Sequence, residues 1–98
     1  GPWAVTLDEA GDPDRLAISL KVNGSIWQQG TTAEMMVSSR EIIAYVSAQM
    51  TLLPGDMIAT GTPAGVGVFQ DPPVFLQDGD RVEVSLENVG TLVNGVAR

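Results

Sequence analysis

Leu16-Ala-Ile-Ser-Leu-Lys-Val-Asn-Gly-Ser-Ile-Trp-Gln28 carries the clearest structural signal in the chain. Leu16, Ile18, Leu20 and Val22 recur with period two, and Ala17, Ser19 and Lys21 fall between them, which is the pattern of a half-buried strand. Asn23-Gly24 supplies two residues that tolerate positive φ, as a type I′ turn requires, so Ser25-Ile-Trp-Gln28 is expected to return as the second strand of a hairpin.

Downstream, the polar Gln29-Gly-Thr-Thr32 leads toward a helix. Ser38 followed by Glu41 reads as a capping box, in which hydroxyl and carboxylate satisfy amides at a helix start. Ile42, Ile43, Val46 and Met50 then form an apolar stripe at helical spacing. Leu52-Leu-Pro-Gly-Asp56 ends that helix, and Met57-Ile-Ala-Thr60 reads as a strand. Val68 to Leu76 is irregular, and Gln77-Asp-Gly-Asp80 is a turn. Arg81-Val-Glu-Val-Ser-Leu-Glu87 alternates with Val82, Val84 and Leu86 inward, and Asn88-Val-Gly90 turns it back into Thr91-Leu-Val93. Upstream of the hairpin, Trp3-Ala-Val-Thr6 reads as a short strand and Asp8 to Asp14 as an acidic turn. The sequence predicts one mainly-β domain with one helix, of the α+β class.

Composition narrows what such a domain does. The 98 residues are 44% hydrophobic and 17% charged, which is globular rather than disordered. A domain of this size removes only about 60–65% of its unfolded surface from water, so its core is thin. Twelve acids against five bases give a net charge of −7, which opposes binding to nucleic acid. No apolar run approaches membrane-spanning length. The absence of cysteine excludes disulfides and thiolate zinc sites and is compatible with a cytoplasmic location. The absence of histidine excludes Ser-His-Asp and Cys-His arrangements. Acid–base chemistry within these residues falls to carboxylates, Tyr45 or a bound metal.

Gly61-Thr-Pro-Ala-Gly-Val-Gly67 is the candidate binding loop. Its glycines allow close backbone approach and positive φ, and Thr62 adds a hydroxyl beside amides able to hold an oxygen anion. It lacks the Lys-Ser/Thr of a phosphate-binding loop and the spacing of a dinucleotide fingerprint. On composition, a ligand cradle and a plain corner both stand. Asp8, Glu9, Asp12 and Asp14 lack calcium-loop spacing and read as a solvated turn. Asp56, Asp78 and Asp80 sit beside glycine as turn formers. Glu34 has a helix-entry or a lid role. Glu41 is the cap partner, and no two carboxylates form a catalytic pair. Trp3 and Trp27 have packing as their default role, and Met35-Met36 read as core filling, with an adaptable apolar wall for a ligand as the alternative.

The order of motifs says more. Gly1-Pro-Trp-Ala-Val-Thr6, Val22-Asn-Gly24, Met35 before Ser38-Ser-Arg-Glu-Ile-Ile-Ala-Tyr-Val-Ser47, Pro54-Gly-Asp-Met-Ile-Ala-Thr-Gly-Thr-Pro-Ala-Gly-Val-Gly67 and Gly79-Asp80 follow one another. This series resembles the C-terminal part of the catalytic domain of the fumarylacetoacetate hydrolase family, over essentially all 98 residues. The nearest branch is the fumarylpyruvate hydrolase and 2-hydroxyhepta-2,4-diene-1,7-dioate isomerase type.

The resemblance implies a mixed β-sandwich roll and a metal-dependent hydrolase, isomerase or decarboxylase of short 2-oxo or 2,4-dioxo acids, of the kind used in aromatic compound catabolism. It implies Mg²⁺ or Mn²⁺ to stabilise an enolate, a homodimer, and a cytoplasmic enzyme. It also implies that Thr62 contacts the oxo-acid and Gly61 shapes the approach. The family's metal-ligating carboxylates, active-site lysine and water-activating Glu and His precede Gly-Pro-Trp and have no counterpart here. No catalytic or metal-ligating residue is therefore expected within residues 1–98. Gly1-Pro2 reads as native sequence starting mid-domain more readily than as a tag remnant. The piece is expected to be inactive alone. The alternative is a non-catalytic β-rich binding or assembly module.

Overall fold

The computed structural model describes all of residues 1–98. The hairpin forms as its sequence dictates: β1 (Ala17–Val22) pairs antiparallel with β2 (Ser25–Thr31). Asn23 and Gly24 between them have φ of 50° and 82°, the positive pair of a type I′ turn. The ladder is interrupted once. Lys21 faces Ile26 but Leu20 faces Gln28, so Trp27 is an unmatched bulge residue.

On its other side β1 pairs antiparallel with β3 (Arg81–Leu86), and β3 with β4 (Gly90–Gly95), giving the order β2-β1-β3-β4. Directly opposed residues share a face, so the register sorts the sheet. Ile18–Leu86, Leu20–Val84–Leu92 and the Val22–Val82 pair make one face apolar. Ser19–Ser85–Thr91 and the Lys21–Glu83 pair make the other polar, where the Ser85 and Thr91 hydroxyls lie 2.8 Å apart.

Polar side chains lock the strand ends. Asn23 Nδ2 donates to Asp80 Oδ1 at 2.8 Å, and Asn23 Oδ1 accepts from the Arg81 amide at 2.9 Å. Asp80 Oδ2 accepts from the Gln77 amide at 2.7 Å, and these bonds, the Gln77 amide foremost, hold the Asp80 carboxyl below its ordinary range. At the opposite end, Thr32 Oγ1 accepts from the Leu16 amide and Glu87 Oε2 from the Ala17 amide, both at 2.8 Å.

Helix α2 (Ser39–Gln49) begins with the capping box complete: Ser38 Oγ accepts from the Glu41 amide and the Glu41 carboxylate accepts from the Ser38 amide. Asp14 Oδ1 adds a bond from the Ser39 amide at 2.8 Å, which lowers the Asp14 pKa. The acidic turn is thus structural, as expected, and Asp12 Oδ1 closes it by accepting from the Asp14 amide.

Two strand expectations need correction. Trp3–Thr6 carries no strand, and the next residues, Leu7–Ala10, form the one-turn helix α1. Met57–Thr60 is likewise outside any ladder. None of the backbone N–H groups from Met57 to Val66 donates to a backbone carbonyl. A strand exists only with a partner, and neither segment has one among residues 1–98.

The core is small. Only Ala10, Leu16 and Val22 are buried, and α2 buries no residue. The radius of gyration is 15.4 Å, against roughly 13 Å for a compact chain of about this length. Met36, Met57, Phe69 and Tyr45 are mostly exposed, and of the apolar stripe of α2 Ile43 and Met50 are exposed while Ile42 and Val46 are half-buried. No helix is long and apolar enough to cross a membrane.

Candidate functional site

The glycine loop is seated against β2. A Cβ on Gly65 would lie 2.1 Å from the Trp27 carbonyl oxygen, and one on Gly67 2.2 Å from that of Val74 and 3.3 Å from the Trp27 ring. Gly65 also has φ of 106°. Gly65 therefore requires glycine for contact and for conformation, and Gly67 for contact alone. Gln70 Nε2 donates to the Gly65 carbonyl at 3.1 Å, and the Val74 amide to the Gly67 carbonyl at 2.9 Å.

A second clamp comes from Gln28. Its Nε2 donates to the Pro63 carbonyl at 2.6 Å and to Thr62 Oγ1 at 2.8 Å. Residues 34 and 35 apart in sequence are thereby joined by one amide. With the loop so placed, Gly61, Thr62 and Pro63 form one wall of an open cavity of about 1020 Å³. The facing wall comes from the end of β2, the 3-10 turn Thr32–Glu34 and α2, and includes Met35 and Tyr45.

Chemically, the cavity offers the Thr62 hydroxyl, backbone amides of the loop without backbone partners, and the Glu34 and Glu41 carboxylates at its edge. Glu41 is committed to the helix cap: Ser38, through its hydroxyl and then its amide, holds the carboxyl below its ordinary range. Thr32 is likewise spent on the Leu16 amide. Glu34, whose role the sequence left between helix entry and lid, ends the 3-10 turn and lines the cavity. Asp56 and Asp78 accept from the Leu53 and Arg98 amides and act as turn formers.

Thr62 and Gly61 thus fall together on the cavity wall. No group of three or more His, Cys, Asp or Glu side chains able to hold a metal ion occurs. These residues alone do not fit the divalent ion that the resemblance implies, and no step is derived through it. Gln28 was missed from sequence, because only the unforeseen bulge at Trp27 turns its side chain toward the loop.

The family model for the fumarylacetoacetate hydrolase C-terminal domain matches residues 1–97, and the chain belongs to this family. Human mitochondrial oxaloacetate tautomerase FAHD2A is 48% identical over 96 residues, covering 98% of this chain and 31% of that protein. The maleylpyruvate hydrolase of Sphingobium sp. SYK-6, solved with manganese (II) ion and pyruvate, superposes with a TM-score of 0.85 at 42% identity, over 99% of this chain and 34% of that one. The 2-hydroxyhepta-2,4-diene-1,7-dioate isomerase of Mycobacterium marinum does so with a TM-score of 0.82 at 46% identity, over 100% and 35%. The chain spans about a third of the length of each.

Proposed function

We propose that residues 1–98 are the C-terminal portion of one catalytic domain in an enzyme acting on short 2-oxo or 2,4-dioxo acids. The reaction is C–C hydrolysis, tautomerisation or decarboxylation through a stabilised enolate. The observation that carries this reading is the position of Thr62 and Gly61 on the cavity wall, on a loop seated by steric contact and hydrogen bonds. Oxaloacetate, maleylpyruvate and pyruvate, named for the relatives, all contain the 2-oxo-acid unit, and its oxygens are acceptors that a hydroxyl and free amides suit.

In this reading Thr62 donates a hydrogen bond to the bound oxo-acid, and Gly61, with φ of 100° and no neighbour within 4 Å of a Cβ position, keeps the approach open. Mg²⁺ or Mn²⁺ would take its ligands outside these residues and supply Lewis-acid stabilisation of the enolate. A homodimer accords with the exposed apolar side chains of α2 and the 57–60 segment. A cytoplasmic location belongs to the same reading.

The test uses the protein as its gene encodes it, assayed with oxaloacetate, acylpyruvates and pyruvate in the presence of Mg²⁺ or Mn²⁺. Turnover or binding of at least one, weakened by Thr62→Val, is expected. A protein that neither binds nor converts any of them is a non-catalytic module, and unaltered kinetics of Thr62→Val would remove that residue from the site.

A further inference from the structure

Gln28 lies at the one irregular point of the sheet. Without the bulge Leu20 would face Trp27, and Gln28 would face Ser19 on the polar side. The extra residue moves Gln28 opposite Leu20, onto the face that carries Ile18, and Ile18 also lines the cavity. From there its amide reaches both Thr62 and Pro63.

The chemistry of the two acceptors then fixes which proton goes where. The Pro63 carbonyl only accepts, so the Gln28 atom 2.6 Å from it is the nitrogen, not the oxygen. That nitrogen has two protons. One serves the Pro63 carbonyl and the second meets Thr62 Oγ1 at 2.8 Å, so Thr62 accepts from Gln28. A hydroxyl has one proton of its own to give. With Gln28 supplying a donor on one side, the Thr62 proton is left for a partner in the cavity.

We propose that Gln28 is a positioning residue that sets the polarity of Thr62, holding its hydroxyl as a donor toward the cavity. The ligand group it selects is an acceptor oxygen: a carboxylate, a keto carbonyl or an enolate. A ligand presenting only N–H or O–H donors at that point meets the second Oγ1 lone pair but leaves the Thr62 proton without an acceptor, and is disfavoured. This inference rests on the reading that Thr62 touches the substrate, and it adds what that contact must be and which residue enforces it.

The experiment is a double-substitution series in the protein as its gene encodes it. Pyruvate binding is titrated calorimetrically in buffer containing Mn²⁺. Gln28→Met removes both donated bonds at similar side-chain length. It is combined with Thr, Ser or Val at position 62. Thr62→Val is expected to weaken pyruvate about 10- to 100-fold, the loss of a hydrogen bond to a charged group. Gln28→Met is expected to weaken binding about 3- to 10-fold with Thr or Ser at 62, and to have no further effect with Val. A residue that merely braced the loop through Pro63 would cost the same in all three backgrounds, and that result overturns the proposal. Should Met at 28 prevent folding, Gln28→Asn replaces it; its amide falls one methylene, about 1.5 Å, short of both acceptors. The same pattern is expected. If Thr62→Val itself leaves pyruvate binding unchanged, the reading of Thr62 as a substrate contact fails first. A loss with Thr62→Val and a background-independent Gln28 effect sinks the Gln28 assignment alone.

Discussion

Gly65→Ala and Gly61→Ala separate two reasons for a glycine. Both positions have strongly positive φ, 106° and 100°, where a Cβ is strained, at a cost of about 1–2 kcal/mol. At Gly61 nothing lies within 4 Å of the new atom, so that conformational cost is the whole effect. At Gly65 the Cβ would stand 2.1 Å from the Trp27 carbonyl oxygen, where real contacts keep at least 3.0 Å. The loop must therefore withdraw from β2 by about 0.9 Å. Such a shift stretches the Gln28 bonds from 2.8 and 2.6 Å to about 3.7 and 3.5 Å, at or beyond hydrogen-bond range. Each is worth roughly 0.5–1.5 kcal/mol. Gly65→Ala is thus expected to cost about 2–5 kcal/mol and Gly61→Ala about 1–2. Urea unfolding of the protein as its gene encodes it, with matched m-values, measures both. Equal losses at the two positions would mean that the loop does not lie on the β2 backbone as described.

Three other perturbations test the scaffold. Ser38→Ala removes one half of the capping box and should lower stability by about 1 kcal/mol; an unchanged unfolding midpoint would show the cap to be idle. Val22→Ala empties one of the few buried sites and should cost about 2 kcal/mol, read by the same unfolding curve, whereas a loss under half that would mean the site collapses freely. The Asp80 carboxyl, lowered from 3.8 by the Gln77 amide and Asn23, stabilises the fold above that ordinary value. Its contribution is lost as pH falls through the depressed folded value. Carbon-detected titration should place the Asp80 midpoint below that of a free aspartate, and a midpoint at or above 3.8 contradicts the network.

How much the sequence disclosed follows from the range of each interaction. The Leu16–Ile26 part of the hairpin and the Ser38–Glu41 cap are local, so period, turn residues and spacing were sufficient to place them, whereas Gln29–Thr31, expected as a loop, extend β2 beyond the bulge. Arg81–Val93 was legible for the same reason. Trp3–Thr6 and Met57–Thr60 have strand-like composition, yet a strand is defined by its neighbour, and no local pattern reveals whether one exists. The glycine loop was visible as composition, whereas its seat on Trp27 depends on contacts some 38 residues apart (65 minus 27). Thr62 came from resemblance, and Gln28 from neither source, because period-two counting assigns it to the wrong face.

That counting error has a practical side. The bulge at Trp27 works as a phase shift: Ser25 and Ile26 keep time with the hairpin turn, and Gln28 to Thr31 keep time with the glycine loop. Pairing Trp27 with Leu20 in an unbroken ladder would leave a tidier hairpin, but would set Gln28 opposite Ser19, on the other face and away from Thr62. Anyone grafting this loop onto another sheet must carry the irregularity along with it, and an effort to regularise β2 for stability would separate the scaffold's interest from the site's.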